Sequence, residues 1–190
     1  MLVGLTGNIG SGKSTIANAF KALGCIIFNS DEVAKEAYFD KEIKLRVVSL
    51  LGPDSFEENK PNKAYISNKI FNDVNLLNNI NQIIHPFVKN KFIELVKQNK
   101  NKIIIKESAL LIETGLYKEL DKTILVIAND NERLQRIVKR DGISEELAMK
   151  KMQSQLSQSE KIKLVDFVIE NNNSSDVLDK VIEIYNTLKN

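Results

Sequence analysis

The chain has 190 residues, which at about 150 residues per domain is one domain with room for an inserted subdomain. An apolar fraction of 43% and a charged fraction of 27% are ordinary for a globular protein and exclude disordered, collagen-like and coiled-coil chains. With 27 basic and 25 acidic residues the net charge is +2, too balanced for a chain built to coat nucleic acid or an anionic membrane. Cys25 is the only cysteine, so no intrachain disulfide is possible and a cysteine-based zinc site is not expected. No apolar stretch approaches the roughly 18 residues of a spanning helix. The start, Met1 to Leu5, lacks a basic leader. The expected location is therefore the cytosol.

The first apolar run, Leu2 to Leu5, predicts a strand, and Lys13 to Leu23 predicts a helix. Between them stands Gly7-Asn8-Ile9-Gly10-Ser11-Gly12-Lys13-Ser14, followed by Thr15. It fits the phosphate-loop pattern G-x-x-x-x-G-K-(S/T) in its proper strand–loop–helix setting. Glycines let backbone N–H groups turn inward around phosphate oxygens, and the helix N-terminus adds partial positive charge. Lys13 is then expected to reach the β- and γ-phosphates of a bound triphosphate, and the Ser14 hydroxyl to ligate Mg²⁺.

Cys25 to Phe28 predicts the second strand, which runs into Asn29-Ser30-Asp31. In open α/β sheets ligands bind outside the carboxyl ends of strands. If this strand lies beside the first, Asp31 approaches the terminal phosphate and is placed to accept a proton from an attacking hydroxyl. The alternative makes Asp31 only the N-cap of a helix beginning at Glu32. From Asp31 to about Gln98 the pattern is helical, clearest over Glu32 to Leu51 and Phe87 to Val96, with shorter segments around Ile66 to Ile83 and no strand. Gly52-Pro53-Asp54 and Lys60-Pro61-Asn62 read as turns. His85 either bonds the acceptor or fixes the start of a helix that Pro86 opens. An acceptor phosphate would call for several forked cations; this stretch holds one arginine, Arg46, which favours a hydroxyl acceptor.

Strands are predicted again at Lys102 to Ile105, Thr123 to Ile127 and Asp166 to Ile169, and helices at Asn131 to Arg140 and Asp176 to Leu188. Asn171 to Asn173 reads as the loop after the last strand. The alternation predicts a parallel α/β core with a helical insertion. Three of the four arginines, Arg133, Arg136 and Arg140, fall at i, i+3 and i+7. They form either a lid face that closes over the transferring phosphate or a solvated face paired with Glu132, Asp141 and Glu145.

This pattern resembles the dephospho-CoA kinase family of P-loop kinases along nearly the whole chain. The resemblance runs from Gly4 to Thr15 through Ser30-Asp31-Glu32-Val33-Ala34, Leu51-Gly52, Ile70-Phe71 and Ile84-His85-Pro86 to Leu110-Leu111-Ile112-Glu113. It continues with Arg136, Arg140-Asp141-Gly142, Gln155, Lys161, Asp166 and Ile169-Glu170-Asn171. The glycine loop is common to many NTPases; the later series is far more discriminating. Three positions depart from the family's usual pattern: Asn29 for aspartate, Ala109 for proline, and Lys63 for an arginine whose planar fork it cannot reproduce.

The resemblance implies a five-stranded parallel sheet formed by residues 1–30 and 100–190, a helical CoA-binding insertion over 31–99 and a lid over 130–160. It implies ATP- and Mg²⁺-dependent phosphorylation of the ribose 3′-hydroxyl of dephospho-CoA. Asp31, Lys13 and Arg140 are the implied catalytic residues. Asn8 to Thr15, that is Asn8, Ile9, Gly10, Ser11, Gly12, Lys13, Ser14 and Thr15, together with Arg136, Arg140 and Asn171, are implied to hold ATP. Lys63, His85, Glu113 and Asp31 are implied on the acceptor side, although Glu113 equally suits a capping or surface role. No nucleic-acid or membrane partner is expected, and a monomer is favoured. The rivals are a nucleoside or polyol kinase of the same architecture and a GTPase-type switch. The latter needs N-K-x-D, and Asn68-Lys69-Ile70-Phe71 lacks the aspartate.

Overall fold

The computed structural model describes residues 1–71, 73–172 and 176–189, so Asn173 of the predicted asparagine loop lies outside the described residues. The elements are β1 (Leu2–Gly7), α1 (Lys13–Ala22), β2 (Ile26–Asn29), α2 (Ser30–Ala37) and α3 (Lys41–Leu51). There follow β3 (Phe56–Glu57), β4 (Lys60–Pro61), α4 (Lys63–Phe71), α5 (Val74–Gln98), β5 (Ile104–Glu107) and β6 (Lys122–Ile127). The chain ends with α6 (Asp130–Asp141), α7 (Glu145–Gln153), α8 (Gln158–Ile162), β7 (Phe167–Glu170) and α9 (Val177–Lys189). Two compact units divide it: Met1–Asn29 with Asn99–Asn190, and Ser30–Gln98.

The first unit is built on a five-stranded sheet in the order β2-β5-β1-β6-β7, with every neighbouring pair parallel. All five predicted strands form, with ends within two residues of those expected. Continuous apolar runs suit strands covered on both faces. Val3, Leu5, Ile105, Ile124, Val126 and Ile169 share one buried cluster with Ile16, Ala17 and Phe20 of α1 and Val181, Ile184 and Leu188 of α9. One expectation fails here. β2 does not lie beside β1; β5 intervenes and pairs with both. The residue at the carboxyl end of the strand between β1 and β2 is therefore Glu107, and those following β2 lie one strand further out. Consecutive parallel strands are joined by crossovers, and nothing in their sequences says whether a third strand slips between them.

The second unit is helical, with one addition. Glu32 to Leu51 is two helices and not one, because the Asp40 side chain accepts from the N–H groups of Glu42 (3.0 Å) and Ile43 (3.1 Å) and caps a fresh start. Lys60-Pro61 is not a turn: it pairs antiparallel with Phe56-Glu57 in a short hairpin. The tip, Glu58 (φ 47°) and Asn59 (φ 67°), is left-handed at both residues, as a two-residue hairpin loop demands. Nor does Pro86 open a helix; it sits inside α5. An interior proline costs about 3 kcal/mol. Ile80, Ile83, Ile84, Val88 and Phe92 are all buried and carry one apolar stripe across it, so packing outweighs the missing hydrogen bond. His85 and Pro86 are exposed, as is Lys63 at the start of α4.

Candidate active site

The glycine loop follows β1 and feeds α1, whose first-turn N–H groups have no intrahelical acceptor. Gly10 (φ 81°) and Gly12 (φ 87°) are left-handed. A Cβ at Gly10 would stand 2.6 Å from the Arg133 carbonyl oxygen, and one at Gly12 would collide with the Asn171 amide. Glycine is required at both positions.

In such a loop the N–H groups turn inward, so the carbonyls must point outward and find donors. Three successive carbonyls do so. Ile9 accepts from Arg133 Nε (3.0 Å), Gly10 from Arg136 Nη1 (3.3 Å) and Ser11 from Asn171 Nδ2 (2.9 Å). Lys13 Nζ donates to the Gly7 carbonyl (2.8 Å), while Thr15 opens the helical ladder with an N–H bond to Gly12. The residues after α7 tie the loop from another side. Gln155 Oε1 accepts from the Ile9 N–H (2.7 Å), the Leu156 carbonyl accepts from Asn8 Nδ2 (2.8 Å), and Gln158 exchanges two 3.0 Å bonds with the Ala128 backbone.

These bonds assign different tasks to the three arginines. Arg133 is 4% exposed and also bound to Asp130 (2.7 Å); burial lowers its pKa against the opposing pull of that carboxylate. It is a strut under the loop, a place that neither reading of the three-arginine face had given it. Helical spacing aligned the arginines but did not show that the first of them faces the loop. Arg136 binds Glu132 (2.7 Å) and the Asn171 carbonyl (2.9 Å) besides Gly10. Arg140 alone projects outward, with 62% of its side chain exposed, and its hydrogen bond to Asp141 (2.7 Å) raises its pKa further. That same bond, with help from Lys151 at 3.2 Å, holds the Asp141 carboxyl below the usual range.

Glu107, which sequence reasoning missed, ends β5 and is 4% exposed. Its Oε1 accepts from Ser14 Oγ (2.9 Å) and its Oε2 from Asn29 Nδ2 (3.1 Å). A hydroxyl and a carboxylate are hard oxygen donors of the kind Mg²⁺ takes beside substrate phosphates, so these residues fit that ion. The available signal was a charged residue closing an apolar strand, the same signal that singled out Asp31. Asp31 itself lies in the first turn of α2, which begins at Ser30, so it is not an N-cap.

Glu113 is an exposed residue, as the surface alternative had it, but its Oε1 lies 2.6 Å from Nζ of Lys161, which is fully buried. A cavity of about 340 Å³ lies at the carboxyl ends of β6 and β7, lined by Asn129, Asp130, Gln158, Glu170 and Asn172 among others. Asn171, expected near the adenine, bonds the glycine loop and stands between Glu170 and Asn172, which line this cavity.

The family model CoaE, dephospho-CoA kinase, matches residues 1–176. The dephospho-CoA kinase of Fusobacterium nucleatum is 37% identical over 184 residues, covering 96% of this chain and 95% of its own length. Among solved structures, TT1252 from Thermus thermophilus superposes with a TM-score of 0.91 at 28% identity, covering 100% of this chain and 98% of that one. The dephospho-CoA kinase from Campylobacter jejuni superposes at 0.72 with 25% identity, covering 98% and 96%.

Proposed function

The chain belongs to the dephospho-CoA kinase family, and we propose that Lys13, Ser14, Asp31, Glu107 and Arg140 divide its reaction among them. It transfers the γ-phosphoryl group of ATP to the ribose 3′-hydroxyl of dephospho-CoA, giving CoA and ADP. The observation that carries the division of roles is the glycine loop itself. Its carbonyls at Ile9, Gly10 and Ser11 are engaged by Arg133, Arg136 and Asn171, and its Ile9 and Ser11 N–H groups by Gln155 and Asn8, which fixes the loop in shape around the space where its other donors would meet phosphate oxygens. Lys13 exchanges its bond to Gly7 for the β- and γ-phosphates. Ser14 and Glu107 hold Mg²⁺, which when bound neutralises phosphate charge and favours in-line displacement.

Asp31 accepts the 3′-hydroxyl proton as the O–P bond forms and the bond to the ADP oxygen breaks. A hydroxyl acceptor needs such a base. Arg140, on the proposed lid formed by α6 to α8, leaves Asp141 and closes on the developing charge. Arg136 stiffens the loop from behind, and Asn171 does the same. The cavity bordered by Asn129 and Asn172 offers polar, base-sized space for the adenine of ATP. Lys63, His85 and Glu113 serve the acceptor side, with Glu113 oriented by Lys161. No helix among the described residues is long and apolar enough to cross a membrane, in keeping with a reaction placed in the cytosol.

The test is ADP release with ATP and Mg²⁺ over dephospho-CoA, uridine, shikimate and gluconate. Strong turnover is expected only with dephospho-CoA. Equal or better turnover with any of the other three would overturn the acceptor assignment.

A further inference from the structure

The two oxygens of Glu107 are held by different partners, and the second partner has a consequence for how the cation arrives. Asn29 and Glu107 are directly opposed residues of the β2–β5 pair, and the Asn29 amide donates to Oε2 while Ser14 takes Oε1. The amide supplies a donor that an ionised aspartate, usual at this position in the family, could not. Aspartate has the same size and shape, but it would set a second negative charge against a buried carboxylate, and like charges directly opposed across strands repel. Among the described residues no group of three or more Asp, Glu, His or Cys side chains could hold a metal ion. The donors the structure brings together here are the Ser14 hydroxyl and the Glu107 carboxylate. Mg²⁺ demands near-octahedral coordination and surrenders its water reluctantly, so two such donors bind it only when phosphate oxygens complete the set.

We propose that Asn29 is a positioning residue that aims Glu107 at Ser14 and keeps the site to a single carboxylate, so that the chain takes its divalent cation only together with nucleotide phosphates. This rests on the reading that Ser14 and Glu107 hold the cation. Outer partners of metal ligands are worth about 10–100-fold in affinity, which sets the size of the effect.

The experiment has two arms. In the first, Mn²⁺ is titrated into nucleotide-free protein and followed by the electron paramagnetic resonance signal of the free ion. The wild type leaves that signal unchanged, whereas Asn29→Asp, by adding a carboxylate beside Glu107, removes it stoichiometrically. In the second, the Mg²⁺ concentration giving half-maximal ADP release rises about 10-fold in Asn29→Ala at saturating ATP, and most of the lost rate returns at saturating Mg²⁺. Stoichiometric Mn²⁺ binding by the nucleotide-free wild type, none by Asn29→Asp, or an unshifted Mg²⁺ requirement in Asn29→Ala would each overturn the proposal. Glu107→Gln separates the two layers. A raised Mg²⁺ requirement there with none in Asn29→Ala sinks the role of Asn29 alone, whereas no change in Glu107→Gln sinks the cation assignment beneath it as well.

Discussion

Asp31→Asn lowers kcat by at least about 10²-fold, the lower end of what a positioned general base contributes. The substitution preserves size and shape but removes the capacity to hold a proton. The competing explanation is structural, and a thermal melt of the variant measures it directly. Asp31 sits in the first turn of α2, where a carboxylate interacts favourably with the helix dipole. That interaction alone is worth about 0.3–1 kcal/mol, too little to unfold a domain of this size, and a melting temperature within a few degrees of the wild type would show that the variant stays folded. A hundredfold loss in a folded variant therefore reports chemistry. The loss should fall on kcat with KM for ATP unchanged, since the nucleotide loop is left intact. A folded Asp31→Asn variant with near-wild-type kcat would remove Asp31 from the reaction.

The second large effect is on stability. Lys161 is fully buried, whereas the side chain of its partner Glu113 keeps 20% exposure. Removing one member of a buried pair leaves the other uncompensated, at about 3–5 kcal/mol. The asymmetry of exposure predicts an asymmetry of cost. Glu113→Gln strands an ammonium with no access to water and should cost about 3 kcal/mol or more, or roughly 6–12 °C in Tm. Lys161→Met strands a carboxylate that can turn toward solvent and should cost about 1–3 kcal/mol. The double variant should be more stable than Glu113→Gln alone, because no charge is left buried. Urea unfolding midpoints of the three variants check this ordering. Equal costs for the two single changes, or a double variant less stable than Glu113→Gln, would contradict it.

How much of this was legible beforehand follows physical lines. Strands buried on both faces write themselves as apolar runs, and the glycine loop declares its own backbone geometry, so β1, the loop and α1 could be read directly. Sheet order could not be. Ile104 and Ile105 specify a strand but not the neighbour it will pair with, and so Glu107 escaped notice although it closes that strand as plainly as Asn29 closes β2. Side-chain direction was equally hidden. Arg133, Arg136 and Arg140 share one helical face, yet one supports the loop from a buried position and another stands in solvent. Pro86 misled for a third reason: local propensity argued for a boundary, while the apolar stripe from Ile80 to Phe92 belongs to tertiary packing. The hairpin at Phe56–Pro61 carried no signal, because its left-handed tip uses Glu58 and Asn59 without a glycine. The helix after β2 starts at Ser30, and only the structure removes the capping explanation for Asp31.

The most direct measurement is a crystal structure of the protein with dephospho-CoA and a non-hydrolysable ATP analogue. An Asp31 carboxylate oxygen should lie about 2.6–3.2 Å from the acceptor 3′-oxygen, the distance at which a proton can pass. A carboxylate turned away from that oxygen, with no single water bridging the two, would contradict the account even with the nucleotide seated in its loop.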